Sequence, residues 1–295
     1  MTLQGFEGFD FYNGTGTTTG VGLRWVSDGT ADVSVMVAGK YADGQALELG
    51  DPIGTGVFSR RRLDVPDFGP NFTIGLDLYN NNLSLASVPV FQIWPVAGGV
   101  AALTLGIAAN GGYIVGIGGT AFASTPNHTP IITTAGGLTP VSTYRHVIMQ
   151  GFIDDASGWV NLYAEDVDGV MQLVGSFTGD TKANAAADLG RIFLVGYGNT
   201  GSTWRNRFDN LYWANDSTMA IKVRRCRVRR PNADGDTLDL TPSSGVIHYP
   251  MVDETTFDNV DWLAGSTVGL FDDLELADFP IEAAAIAGVQ VQLRS

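Results

Sequence analysis

The stretch Phe72–Tyr79 reads FTIGLDLY and alternates between apolar and polar or small residues. Successive side chains of a β-strand point to opposite faces of the sheet. One face is apolar and predicts a core contact: Phe72, Ile74, Leu76 and Leu78. The other face is expected to meet water: Thr73, Asp77 and Tyr79. This pattern is typical of an antiparallel sheet with one buried and one solvated face.

Segments of similar length recur along the chain, bounded by Gly, Asn, Asp and Pro. The most distinct pair, Val147–Ile153 and Trp159–Tyr163, is separated by an Asp/Gly turn and predicts a hairpin. The predicted strands are Gly20–Trp25, Ala46–Leu49, Phe72–Tyr79, Val88–Trp94, Ala101–Ala108, Tyr113–Ile117, His146–Ile153, Val160–Glu165, Val170–Thr178, Ile192–Tyr197 and Phe208–Trp213. Helix-forming composition occurs only at Ala183–Leu189 and Glu282–Ala287, which are too short to organise a fold.

The composition supports the same fold class. The chain has 295 residues, of which 44% are hydrophobic, 38 are Gly and only 16% are charged. Short strands joined by tight turns produce such a composition, whereas a helical bundle does not. We therefore predict an all-β protein, an antiparallel jelly-roll β-sandwich with a C-terminal extension.

The net charge of −14 is expected to repel nucleic acid and anionic membranes. The longest apolar region, Val96–Ile117, is interrupted by Gly and Asn, which argues against membrane insertion. The first residues lack a basic segment followed by an apolar one, so we expect no cleavable export signal. Cys226 is the single cysteine and excludes a disulfide within one chain.

A change of composition near Ala220 predicts two parts, a sandwich at residues 1–220 and an extension at 221–295. The extension begins with six basic residues: Lys222, Arg224, Arg225, Arg227, Arg229 and Arg230. We interpret them as a basic strand that docks on acidic surfaces of a partner or of further copies of this chain. The alternative is a solvated edge strand protected by charge. Arg60–Arg62 allows the same two interpretations, and a last strand, Ala287–Leu293, is predicted to extend or rejoin the sandwich.

The sequence carries no catalytic motif. His128, His146 and His248 are not spaced as metal ligands, and we expect each to be solvated or hydrogen-bonded. A glycosidase needs two carboxylates across a cleft. The candidates are Glu165 with Asp166, which would point to opposite strand faces, and Asp272 with Asp273 and Glu275, and we expect all five to be turn or surface groups. We therefore predict that the chain is not an enzyme, with a glycan-cleaving enzyme on the same fold as the less favoured alternative.

Four acidic turns offer oxygen ligands to calcium, although Asp and Asn are also common turn formers. They are Asp154–Asp155, Asp166–Gly169, Asp209–Asn210 and Asp234–Asp236. No cofactor is predicted, with calcium as the one alternative. Six tryptophans in loop-like contexts could pack on sugar rings or belong to the core: Trp25, Trp94, Trp159, Trp204, Trp213 and Trp262.

Three segments form one pattern: Gly179–Asn184, Ile192–Gly196 and Phe208–Trp213, in which Asn210 stands in place of a second Asp. This pattern resembles that of the laminin-G-like or concanavalin-A-like jelly-roll proteins of tailed bacteriophages and prophages. The more specific segments are Val228–Asp236, Leu240–Gly245, His248–Tyr249, Val252–Glu254 and Ser266–Asp272. Phe9–Tyr12, Leu23–Trp25 and Gly44–Leu47 fit the start of the same pattern.

This resemblance implies a virion structural protein made in the host cytoplasm. Its expected partners are other virion proteins, further copies of itself as a homo-oligomer, and a host-surface glycan. A position on the tail is favoured over the alternative, a decoration or cement protein on the capsid.

Overall fold

A computed structural model describes most of the chain. The described residues are 3–9, 25–27, 34–41, 44–50, 58–65, 68–83, 88–96, 100–119, 128–182, 189–197, 205–226, 231–252, 263–265 and 272–276. Within these ranges no helix has the length and apolar character needed to span a lipid bilayer.

The secondary structure consists of short strands and one 3-10 turn. The strands are β1 (Leu3–Glu7), β2 (Val26–Ser27), β3 (Ser34–Ala38), β4 (Gln45–Gly50), β5 (Phe58–Asp64), β6 (Asn71–Asn80), β7 (Val88–Pro95), β8 (Leu103–Ile107), β9 (Tyr113–Ile117), β10 (Thr129–Thr133), β11 (Tyr144–Phe152), β12 (Gly158–Glu165), β13 (Met171–Gly179), β14 (Leu189–Tyr197), β15 (Arg205–Ala214), β16 (Pro231–Leu238), β17 (Thr241–Pro242), β18 (Leu263–Ala264) and β19 (Asp272–Leu276). The 3-10 turn, η1, spans Tyr249–Met251.

Two antiparallel sheets form the body. The eight-stranded sheet has the order β13-β12-β11-β6-β15-β4-β3, with β1 paired to β15, and the seven-stranded sheet has the order β10-β9-β8-β7-β14-β5-β2. Strands distant in sequence are neighbours in both sheets, such as β6 between β11 and β15. The chain is therefore an antiparallel all-β jelly-roll sandwich, and the predicted fold class is confirmed.

The core lies between the two sheets and contains the four apolar side chains of the opening stretch. Phe72, Ile74, Leu76 and Leu78 are at most 2% exposed and belong to one cluster with side chains of the facing sheet. The predicted core face of β6 is thus confirmed. The prediction of a solvated opposite face is wrong for Thr73 and Asp77, which are 1% and 0% exposed, because other parts of the chain cover that face.

The predicted strands that fall in the described ranges are present, with ends shifted by a few residues. Gly20–Trp25 is described only at Trp25, and Ala287–Leu293 lies outside the described residues. The two helix-forming segments are also outside them, apart from Leu189, which begins β14. Six strands of three residues or more were not predicted: β1, β3, β5, β10, β16 and β19.

The described residues after Ala214 form no strand of either large sheet. β16 pairs with β19, and β17 pairs with β18, in two small antiparallel sheets. Whether residues 221–295 form a separate domain stays a prediction.

Candidate functional site

Residues 215–226, here called the covering segment, lie across the outer face of the eight-stranded sheet. Met219 is 2% exposed and packs with Ile148, Tyr212 and Ala214. Its backbone oxygen accepts a hydrogen bond from Nε2 of Gln150 at 2.9 Å. These contacts explain why outward-pointing residues in the middle of the sheet are buried.

Beside the covering segment, Asp77 is the centre of a buried charged network. Its Oδ1 accepts hydrogen bonds from Nζ of Lys40 at 3.0 Å and from Nδ1 of His146 at 2.9 Å. Its Oδ2 accepts a hydrogen bond from Nδ2 of Asn210 at 2.7 Å. Asp77 and His146 are both 0% exposed, so the contacts of the Asp77 carboxylate are little screened by solvent.

Lys40 joins two further carboxylates to this network. Its Nζ donates to Oε2 of Glu165 at 2.8 Å, and its backbone N–H donates to Oδ2 of Asp209 at 2.9 Å. The same Glu165 oxygen accepts the backbone N–H of His146. Lys40 thus supplies positive charge among three carboxylates of the outer face. Glu165, predicted to be a turn or surface group, is part of this ion-pair network instead.

The pKa directions follow from these contacts. Burial raises the pKa of Asp77, but the hydrogen bond and charge of His146, together with Lys40, outweigh burial and hold the pKa below its usual range. Burial lowers the pKa of Lys40, but Asp77 and Glu165 outweigh it and raise the pKa above its usual range. Both groups are therefore charged at neutral pH.

His146 is held in a fixed orientation. Its ring stacks on Tyr212 with centroids 5.8 Å apart and an interplanar angle of 16°. Nδ1 contacts Asp77, whereas Nε2 is buried without a hydrogen-bond partner in the described part of the chain. An Asp–His pair can orient a general base, but the imidazole here is closed off from solvent. The contacts of His146 with Asp77 and Tyr212 therefore stabilise the outer face of the sheet beneath the covering segment.

Asn210 links the Asp77 network to the covering segment. The residue has a left-handed φ of 49°, a conformation in which Asn is enriched. Its Nδ2 donates to Asp77, and its Oδ1 accepts the backbone N–H of Cys226 at 2.7 Å. The amide donates to a carboxylate and accepts from a peptide N–H at the same time, whereas an ionised Asp could only accept and would place a second carboxylate beside Asp77.

The first of the six basic residues of the extension lie in a different backbone conformation from the predicted strand. Residues 221–226 form no strand and continue the covering segment, so the predicted basic strand is wrong at Lys222, Arg224 and Arg225. The Arg224 guanidinium lies 5.3 Å from the Tyr212 ring centroid, and that of Arg225 lies 4.0 Å from that of Tyr41. Lys222 is exposed.

Arg227, Arg229 and Arg230 lie outside the described residues, so their part of the basic strand stays a prediction. Docking of the six basic residues on a partner is likewise untested. In the described part, Arg224 and Arg225 contact aromatic rings of their own chain.

The second basic cluster, Arg60–Arg62, is not a solvated edge strand, since Arg60 and Arg61 are buried and Arg62 pairs with Asp64 at 3.2 Å. Its docking on a partner stays a prediction. It lies on β5, between β14 and β2. Arg60 is 6% exposed and packs 4.3 Å from the Phe193 ring centroid, whereas Arg61 is 3% exposed and donates to Oγ of Ser34. The cationic and planar guanidinium groups make aromatic and hydroxyl contacts inside the fold.

The acidic turns use their carboxylates to hold backbone N–H groups. Asp154 accepts from the N–H groups of Ala156 and Ser157, and Asp166 accepts from those of Asp168 and Val170. In the described part of the chain no three His, Cys, Asp or Glu side chains are arranged so that they could hold a metal ion, and calcium binding stays a prediction.

The tryptophans divide into buried and accessible ones. Trp25, Trp94 and Trp213 are at most 7% exposed, so for these three the core alternative holds. Trp204 and Trp262 lie outside the described residues, whereas Trp159 is partly exposed.

Trp159 belongs to an accessible strip on the outer face, beyond the covering segment. It pairs directly across β11 and β12 with Phe152, which is also partly exposed. Amide and hydroxyl groups occupy neighbouring register positions on the same face: Asn71, Asn161, Ser176 and Thr178. We call these six residues the aromatic strip.

The polar members of the aromatic strip keep groups available for a ligand. Oδ1 of Asn161 accepts from Oγ of Ser176 at 2.8 Å, and Oδ1 of Asn71 accepts from Oγ of Ser217 at 2.9 Å. The NH₂ group of each amide is thus the donor that is not engaged in these two bonds. Aromatic surface with a few oriented polar groups is the usual chemistry of a small-ligand site.

The family-like C-terminal residues form a compact hydrogen-bonded unit. Asp234 accepts the backbone N–H groups of His248 and Tyr249 at 2.9 and 2.7 Å. Asp272 accepts from Nδ1 of His248 at 2.6 Å and from the N–H of Leu240 at 2.8 Å. Asp272 was expected to be a surface group, but its side chain is 3% exposed, whereas Asp273 and Glu275 are exposed as predicted.

Replacing Asp234 by Ala is expected to speed amide exchange at His248 and Tyr249 by about 10- to 100-fold. Two N–H groups lose their acceptor, at a cost of about 1–3 kcal/mol. Hydrogen exchange of these amides measures the effect. Asp236→Ala, two residues along at an exposed position, is the control and should leave their exchange unchanged.

Comparison with known proteins finds similarity of fold but no family. No protein-family model and no curated protein matches the chain. Among solved structures, it resembles the metal-free lectin I-B4 of Griffonia simplicifolia at 9% identity and a TM-score of 0.45, covering 71% of this chain and 98% of the lectin. It also resembles a botulinum neurotoxin type C structure at 10% identity and a TM-score of 0.43, covering 66% of this chain and 44% of the other.

A third similar structure is a sialidase of Trypanosoma rangeli, at 16% identity and a TM-score of 0.38, covering 63% of this chain and 27% of the sialidase. The chain thus spans less than half the length of two of these three proteins. The sialidase also overturns the prediction that the chain is not an enzyme, because structures resembling this sandwich include enzymes as well as lectins.

Proposed function

We propose that this chain is a glycan-binding structural protein of a tailed-bacteriophage particle, located on the tail. The observation that carries the glycan-binding part is the aromatic strip. Phe152 and Trp159 are paired, partly exposed and flanked on the strands by uncharged amide and hydroxyl groups.

The chemistry of the strip suits a sugar. A pyranose ring offers an apolar face to an aromatic ring and hydroxyl groups to amides around it. The pair lies on two neighbouring strands at the end of a hairpin, so the rings are held by a rigid element. The covering segment fills the middle of the sheet with Met219, whereas Phe152 and Trp159 remain partly exposed.

A glycan microarray with the purified chain tests this part. Replacing Trp159 by Ala is expected to weaken binding of any glycan found by about tenfold, because the stacking surface is lost. Trp159→Phe is the matched variant and should keep most of the affinity. Circular dichroism checks that both variants are folded. An array without binding, or binding unchanged in Trp159→Ala, contradicts the proposal.

The virion part rests on the sequence segments that resemble tailed-phage proteins. These segments include Val228–Asp236 and His248–Tyr249, and Asp234 of the first accepts both backbone N–H groups of the second. Peptide mass spectrometry of separated heads and tails from purified particles tests this location. We expect a few copies on tails. Many copies on heads would identify a decoration protein instead, and absence from both would refute the virion role.

A further inference from the structure

We infer that the aromatic strip selects neutral glycans and rejects anionic ones such as sialylated chains. This inference rests on the proposed glycan binding and specifies the class of ligand. It follows from the charges around Phe152 and Trp159.

The hairpin turn that joins the two aromatic residues is acidic. Residues 153–158 connect Phe152 to Trp159 and carry Asp154 and Asp155. The N–H groups of Ser157 and Ala156 lower the pKa of Asp154, which is therefore ionised at neutral pH. Both carboxylates are within three residues of Phe152, at the end of the strip.

The adjacent strand adds a third carboxylate at the same end. Gly179 pairs with Gly158, and Thr178 pairs with Trp159, so Asp180 follows the strip directly. Thr181 holds the end of β13 close to the end of β11, because its Oγ1 donates to the backbone oxygen of Phe152 at 3.0 Å. Asp154, Asp155 and Asp180 thus surround one end of the aromatic pair.

Positive charge near the strip is scarce in the described part of the chain. Lys182 is at this end, but its Nζ is paired with Asp155 at 3.3 Å. Three carboxylates against one ammonium leave this end negative. Lys222 lies near Tyr212, because its backbone oxygen accepts a hydrogen bond from the Tyr212 hydroxyl. Tyr212 is in register with Gly75 and Ile148. Ile148 and Phe152 are four residues apart on β11, so about 13 Å of strand separates them.

The polar groups of the strip fit the same class of ligand. Asn71, Asn161, Ser176 and Thr178 are uncharged, so they can bond sugar hydroxyl and acetamido groups. A glycan carboxylate would lose hydration without gaining a cationic partner. It would also approach a chain with a net charge of −14.

The test compares a neutral oligosaccharide with its sialylated derivative, after a microarray has identified a core structure that is bound. Titration calorimetry at low salt is expected to show at least about fivefold weaker binding of the sialylated form, and the ratio should shrink at high salt. Equal or tighter binding of the sialylated form overturns the inference and leaves glycan binding intact. Binding of neither form, on any core, overturns the proposed function itself.

Charge variants locate the effect. Asp155→Asn combined with Asp180→Asn is expected to reduce the ratio to about twofold and to leave the neutral affinity unchanged. Asp273→Asn, an exposed carboxylate on β19, is the matched control and should preserve the wild-type ratio. An unchanged ratio in the double variant would contradict discrimination by these carboxylates.

Discussion

Replacing Asp77 by Asn is expected to lower the free energy of unfolding by about 3–5 kcal/mol. The substitution keeps the size of the side chain but removes the charge that Lys40 and His146 contact. The Lys40 ammonium would remain with Glu165 as its one carboxylate at hydrogen-bond distance. Urea denaturation followed by tryptophan fluorescence measures the change.

Asp168→Asn is the control for Asp77→Asn. Asp168 is exposed in the β12–β13 turn, and the same chemical change there should alter the free energy of unfolding by less than about 0.5 kcal/mol. Equal effects of the two substitutions would show that the Asp77 network adds no stability.

The pH dependence of the Asp77 effect has a definite sign. The pKa of Asp77 is lower in the folded than in the unfolded state, so its contribution is present above the unfolded pKa of about 4. It is lost as the pH falls through the folded pKa. The difference in unfolding free energy between wild type and Asp77→Asn should therefore be constant near neutral pH and shrink below about pH 4.

The strand pattern could be predicted from the sequence, because alternation is a local property. Phe72–Tyr79 and the hairpin at Val147–Tyr163 show it clearly, and both were located correctly. β5 was missed because Arg60–Arg62 reads as a surface cluster. Its guanidinium groups are accommodated by an aromatic ring and a hydroxyl group from other strands, which no local pattern reveals.

The charged network could not be predicted, because its members are far apart in sequence. Lys40 is 37 residues from Asp77 and 125 from Glu165, and these residues meet only when strands pair. The one local signal was Asp77 on the non-core face of its strand. That signal was interpreted as solvation, since the burial comes from the covering segment and the turn at Lys40.

The aromatic strip could be predicted only in part from the sequence. The hairpin that pairs Phe152 with Trp159 was predicted, but the six tryptophans were not separable into core and surface. Trp159 alternates with Val160, Leu162 and Ala164, whose side chains face the core, so period-two alternation within the predicted strand was the signal that could have placed Trp159 outward.

Replacing Gly196 by Ala is expected to lower the free energy of unfolding by about 3 kcal/mol. Gly196 is on β14 and faces β4 of the opposite sheet. A Cβ atom there would overlap the Leu49 carbonyl carbon and lie 2.6 Å from the Gly50 nitrogen. Both obstacles are backbone atoms, so relief requires the two sheets to separate at this point, which disturbs the packing of Leu49 and Leu194.

Gly190→Ala, on the same strand, is the matched control for Gly196→Ala. The nearest obstacle there is a side-chain methyl group of Val96, which is 52% exposed and can rotate away. We therefore expect a loss below about 1 kcal/mol in the same denaturation experiment. If both substitutions cost the same, the loss would come from the strand itself. A large difference would show that the close approach of the two sheets at Gly196 causes the loss of stability, because of these two positions only Gly196 would place a methyl group against the facing backbone.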